Sequence, residues 1–362
     1  MFVAWRDLKF AKGRFALMGT VITLITLLVG LLSGLTAGLG RQNVSAITGL
    51  PADRIAFEAP GHGQSLSYTN STVTARQWDQ WARTPGVTRA EPLGIATTKA
   101  TAGDRSTGVS AFGVRPGSHL APDGGRIHGH AAVLSATAAD DLGLKPGDTF
   151  TLAGQTMSVA AVRGDASFSH TPVIWTGLTA WQQLAPPSGA GDGPAATVIA
   201  LETTAGADLT AADRTIGTRT VAKDDSLSAI GSYTSENGSL QLMRGFLFAI
   251  SALVVGAFFT VWTIQRSGDI AVLKALGAST AHLLRDALGQ AAVLLGAGTL
   301  LGTGTAAALG ALVVDRAVPF LLTPATVLVP AAVMILIGAL GAALSVRRIT
   351  SVDPLTALGS AR

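Results

Sequence analysis

The chain has 362 residues, 48% of them hydrophobic and only 13% charged, with a mean hydropathy of +0.44, a balance that belongs in a membrane. Its net charge of +4 is small, and its basic residues flank apolar runs instead of alternating with aromatics, which excludes nucleic acid as a partner. With no cysteines, disulfides, thiolate metal sites and cysteine nucleophiles are excluded together.

In chain order, segment 1–14 carries Arg6, Lys9, Lys12 and Arg14 and reads as a cytoplasmic amphipathic N-terminus. The apolar run 15–39 is longer than the core of a cleaved signal peptide, about 7 to 15 residues, and predicts a retained first span. Further spans are predicted over 239–265, 287–314 and 327–346, each longer than the roughly 20 residues that cross the hydrocarbon core. Arg266, Lys274 and Arg285 in the connection 266–286, and Arg347 and Arg348 in the tail 347–362, place both on the cytoplasmic side with the N-terminus. The short connection 315–326 then faces outward. Gly298 and Gly302 form a G-x-x-x-G, with Gly304 and Gly310 beyond, which predicts close helix contact in the third span.

Residues 40–238, between the first two spans, are numerous enough to bury their own core and predict an extracytoplasmic α+β domain. Helices are expected over Ala75–Thr84 and Ala136–Leu142, and strands over Gly108–Val114, Ala132–Ser135, Pro172–Trp175 and Thr197–Leu201. Lys145–Asp148 reads as a turn, and Thr149–Leu152 with Thr156–Val162 as a hairpin across Ala153-Gly154-Gln155. Pro186–Pro194 reads as a flexible loop. From Asp224 a helical pattern is expected to run unbroken into the second span. The fold class is therefore a mainly α membrane protein of four transmembrane helices, with a mixed α+β extracytoplasmic domain inserted between helices 1 and 2.

The chain lacks any Gly-Lys dipeptide, so a Walker-type phosphate loop is absent and a nucleotide engine must be another chain. The spans carry no ionisable residue at mid-depth, which disfavours an ion-coupled carrier. Ser135, and Ser169 beside His170, lack a G-x-S-x-G context, so the chain is not read as an enzyme. His128 and His130 have too few companions for a metal site. The stretch Arg266–Ser279 is different. On a helix its Ile270, Leu273 and Leu276 fall on one face, a sticky stripe on the cytoplasmic surface that suits a docking partner.

One span, a large outer domain and three further spans, with Arg266-Ser-Gly-Asp-Ile-Ala-Val-Leu-Lys-Ala-Leu-Gly-Ala278 after the second, resembles the permease subunits of the MacB/FtsX family of ABC transporters. The closing Arg347-Arg-Ile-Thr-Ser-Val-Asp-Pro-Leu-Thr-Ala-Leu358 and the outer Leu142-Gly-Leu-Lys-Pro-Gly-Asp148 are similar to pieces of that family too. The resemblance implies a homodimer of type VII architecture, in a bacterial cytoplasmic membrane, on two ATPase subunits that carry ATP and magnesium. It also implies a coupling helix formed by Arg266, Asp269, Ile270, Leu273, Lys274, Leu276 and Gly277.

Trp5–Phe15 and Leu32–Ser45 are similar to the start of HrtB-type heme exporters of Gram-positive bacteria, which implies heme as a substrate expelled from the membrane, with membrane lipid as a partner. Heme is a flat apolar ring with two carboxylates and an iron that takes axial ligands. Phe57, Glu58, His62, Tyr68 and Arg54 beyond the first span are candidates to hold it, with Glu58 or His62 on the iron. Tyr233, Glu236, Met243 and Arg244 near the second span complete the set. The alternatives are export of a peptide or lipid-linked substrate, and an FtsX-like scaffold that regulates a cell-wall hydrolase.

Overall fold

The computed structural model describes residues 12–184, 195–265, 268, 279–313 and 318–350. The calls on Arg266 to Ala278, on Pro186–Pro194 and on the closing motif beyond Thr350 fall outside them; in the coupling stretch only Gly268, a helical position, is described. The chain divides into two compact units, one of Met1–Gly38 with Ser239–Arg362, the other of Leu39–Gly238.

Helix α1 (Lys12–Thr48) begins in the first unit and ends in the second. The outer unit continues with β1 (Arg54–Glu58), β2 (Val73–Thr74), α2 (Ala75–Ala82), β3 (Val87–Ala102), β4 (Arg105–Val114), β5 (Ala131–Leu134) and α3 (Ala136–Leu142). Then come β6 (Thr149–Leu152), β7 (Gln155–Val162), β8 (Ser167–Phe168), β9 (Thr171–Gly177), α4 (Leu178–Leu184), β10 (Ala195–Ala196), β11 (Val198–Thr203), α5 (Leu209–Ile216) and β12 (Thr218–Ala222). Ten of these strands form one mixed sheet in the order β12-β1-β11-β3-β4-β9-β5-β7-β6, with β8 on β9. The β4–β9 and β5–β7 pairs are parallel and the others antiparallel. Because β6 also returns to pair with β3 at Ala100 and Thr101, the strands from β3 to β6 close on themselves.

Each face of the sheet has its own core. One gathers Trp78 and Trp81 of α2, Ala138 and Leu142 of α3 and Trp181 of α4 over Ala56, Ala111 and Ile199. The other packs Ala46, Ile47 and Leu50, at the end of α1, with Ile55, Phe57, Leu93, Phe112 and Trp175. Ser135 caps α3 by accepting from the Ala138 N–H, and Gly143 ends it in the left-handed region at φ 68°. The β6–β7 turn has only two residues, Ala153 and Gly154, both at positive φ, so β7 begins at Gln155 rather than at Thr156.

Two elements differ from the expected pattern. Strand β3 runs through Pro92 and Gly94, residues that weaken a strand reading, and the sequence alone left it unassigned. The expected unbroken helix from Asp224 is instead a 3-10 turn, Asp225–Ala229, ended by Ile230 in extended backbone. Ile230 is buried against the second core, and this burial sets the break.

Helix α6 (Tyr233–Gln265) starts in the outer unit and continues into the other, followed by α7 (Thr280–Val313) and α8 (Pro324–Thr350). Four stretches have the length and apolar composition to cross a membrane: Phe15–Thr48, Tyr233–Trp262, Leu288–Leu312 and Pro324–Leu344. The helices outrun the spans expected from hydropathy, because a helix need not stop where it leaves the apolar layer.

In the membrane unit α1 and α7 share a seam with a four-residue period on both sides. Ile22, Thr26 and Gly30 of α1 meet Gly298, Gly302 and Ala306 of α7 in turn. A Cβ on Gly302 would stand 2.6 Å from the Thr23 carbonyl oxygen, so the backbones touch because that side chain is missing. Gly304 has nothing within 4 Å of the same position and lies off the seam. At the end of the seam Gly34 and Gly310 both close on the ring of Phe320, and the Leu321 N–H donates to the Gly34 carbonyl at 3.0 Å.

Candidate functional site

Strand β1 decides much of the proposed constellation. Successive side chains on a strand point to opposite faces. Phe57 is fully buried in the second core, while Ala56, its neighbour, belongs to the first. Arg54 and Glu58 therefore share a sheet face with Ala56, and Phe57 cannot line a gap beside Glu58. Phe57 instead meets Tyr68 edge-on at 4.8 Å between centroids, and the aromatic contacts run on through Phe168 and Phe112 to Trp175.

Tyr68 is likewise interior. Its hydroxyl donates to Ser226 Oγ at 2.9 Å, and Ser226 donates to the Lys223 carbonyl. Burial pushes the Tyr68 hydroxyl well above the usual tyrosine range, and the Ser226 hydrogen bond offsets only part of this. A buried phenol of this kind holds the domain together and offers nothing to a flat substrate.

Glu58 and His62 remain accessible. Glu58 Oε2 accepts the Thr72 N–H at 3.0 Å, and the Glu58 N–H donates to Ser71 Oγ, so the end of β1 is tied to the far side of its loop. His62 sits in a turn closed by the Gln64 N–H to Gly61 carbonyl bond. Arg54 Nε lies 3.8 Å from Asp53 Oδ2, with both side chains largely exposed. Met243 and Arg244 belong to the membrane unit, where Arg244 stands 5.8 Å over the Phe248 ring.

Tyr233 opens α6 and packs on the second core, and Glu236, one turn on, enters a polar cluster that the sequence did not reveal. Glu236 Oε2 accepts from Asn43 Nδ2 at 2.9 Å and pairs with His170 Nε2 at 2.7 Å. Asn43 Nδ2 also donates to Ser232 Oγ at 3.3 Å. Asn43 is 2% exposed, on the buried side of α1, and its Oδ1 has no hydrogen-bond partner among the described residues. His170 is carried by the β8–β9 turn, in which Ser169 and His170 both take positive φ, 48° and 64°. The N–H groups of these two residues donate to the Asn43 and Gln42 carbonyls. Asn43 lies beyond the apolar run 15–39, in the polar Arg41-Gln-Asn-Val-Ser45, so no local pattern marked it.

Residues 16–219 match the MacB-like periplasmic core domain, and residues 242–354 match the FtsX-like permease C-terminal region. Over 99% of both chains, the sequence is 27% identical to a protein of Staphylococcus haemolyticus named as the hemin transport system permease HrtB. It is 25% identical, again over 99% of each, to the protein of that name in Staphylococcus epidermidis. An uncharacterized ABC transporter permease of Mycobacterium bovis is 26% identical at the same coverage. With four spans, a mixed outer domain between the first two, and these two matches covering most of its length, the chain belongs to the MacB/FtsX family of ABC transporter permeases.

Proposed function

We propose that this permease expels heme from the membrane, driven by a separate ATPase. The reading is carried by the full-length similarity to chains named for hemin transport. Two copies of the permease stand on two ATPase subunits, with both termini cytoplasmic and the outer domain beyond the membrane. ATP and magnesium are held by the ATPase. The stripe Ile270, Leu273 and Leu276 docks on it, with Arg266, Asp269 and Lys274 setting register and Gly277 part of the same coupling stretch.

Of the heme candidates, Glu58 and His62 retain the exposure that an axial ligand needs, and Arg54, paired with Asp53, would exchange that partner for a propionate. Spectral titration of the purified permease–ATPase complex with heme tests both layers of the proposal. A saturable Soret shift is expected, weakened at least about tenfold, a loss of about 1.4 kcal/mol, by Glu58→Ala with His62→Ala. A shift that survives both substitutions removes the site, and no shift in the parent complex removes heme.

A further inference from the structure

The cluster around Glu236 joins three pieces of the outer unit that are far apart in sequence: the last turns of α1, the β8–β9 turn and the first turn of α6. Its residues run against local preference at two positions. A two-residue hairpin turn with both residues at positive φ favours Asn-Gly or Gly-Gly, yet this one is Ser169-His170. The side chain that makes the backbone strained is the one that reaches Glu236. Asn43, buried in the polar last turns of α1 beside Arg41 and Gln42, donates to both Glu236 and Ser232, and its Oδ1 has no hydrogen-bond partner among the described residues. A permanent brace would be better built from apolar packing, since left-handed backbone at two successive non-glycine residues raises the energy of the closed state.

We propose that Asn43, His170 and Glu236 form a releasable clasp, closed in this structure, whose opening frees the first turn of α6 from α1 and the β8–β9 turn during each cycle of ATP hydrolysis. The three polar contacts give the closed state direction and register. The strained turn keeps it from being too stable to leave. Both helices continue past the clasp as unbroken helices, α1 back to Lys12 and α6 on to Gln265, so a change at this point bears on two membrane-crossing elements.

The test reads the complex with its ATPase and needs no transported substrate, so its failure is separate from failure of the heme reading. Hydrogen exchange in the permease–ATPase complex follows the Ser169 and His170 amides, which the closed clasp holds on α1. Exchange there is expected to quicken during ATP turnover, and to be about tenfold faster without ATP in Glu236→Gln, the factor lost with one charge-assisted hydrogen bond. His170→Gly serves as the control for folding. It eases the turn yet removes the imidazole; a static brace predicts exchange that ignores ATP in both proteins, whereas the clasp predicts an ATP response in the parent that is lost in His170→Gly. As this chain has no cysteine, Asn43→Cys with Glu236→Cys adds the only two thiols of the permease, and a short bifunctional methanethiosulfonate can bridge them through two disulfides, each formed as a cysteine thiolate displaces methanesulfinate. Cross-linking is expected to stop ATP turnover and reduction to restore it. Turnover that continues in the cross-linked complex, or amide exchange that ignores both ATP and Glu236→Gln, overturns the proposal.

Discussion

At the scale of single residues, burial decides what each polar group can do. Tyr68 holds its proton more tightly in the folded domain than in the unfolded chain, where a tyrosine titrates near ~10. The contribution of that difference is complete below pH ~10 and is lost as pH rises above it. Thermal unfolding of the solubilised protein should therefore show an alkaline loss of stability that is smaller in Tyr68→Phe, which at neutral pH loses only the Ser226 hydrogen bond, about 0.5–1.5 kcal/mol. Equal alkaline slopes for the two proteins would contradict this. The same scale shows why the surroundings of the proposed heme candidates were not legible in the sequence. Phe57 and Glu58 are neighbours in sequence, but once 54–58 is a strand they part to opposite faces, and that strand was not read. His170 was noticed as a possible partner of Ser169, whereas its link to Glu236 depends on two left-handed residues that a Ser-His pair does not announce.

Among elements, the α1–α7 seam offers a comparison within one helix. Gly302→Ala would press a methyl against the Thr23 carbonyl and Thr26, while Gly304→Ala meets nothing within 4 Å. We expect the first to cost about 1–3 kcal/mol and lower the melting temperature of the solubilised protein, and the second to leave it unchanged or slightly raised. If the two variants melted alike, the seam would not be a tight contact. The glycine spacing of α7 was visible because it is local. Its partners Ile22, Thr26 and Gly30 were not, because only packing pairs them with α7. Strand β3 was hidden by Pro92 and Gly94. The hairpin β6–β7 was found because Ala153-Gly154 lies between two alternating runs.

Taken whole, the molecule was most legible where hydropathy alone acts: four apolar runs and one long polar insertion fix the architecture without reference to any partner. Specificity rests on a few side chains whose company is set by the fold, so the substrate was far less visible than the topology. The proposed coupling belongs to the complex with an ATPase, and Leu273→Asp tests it there. Placing a carboxylate on the proposed docking stripe should abolish co-purification of the ATPase, or uncouple its hydrolysis, while leaving the permease in the membrane; intact assembly with normal hydrolysis would remove the coupling role. The strand order of the outer domain bears on biosynthesis. β1 is the first strand made, yet its two neighbours, β11 and β12, are the last. Throughout the intervening synthesis β1 waits outside the membrane with both edges unpaired. The domain can close only as its final strands emerge, so a ribosome stalled before Val198 would leave both edges of β1 and one edge of β3 open to aggregation or proteolysis.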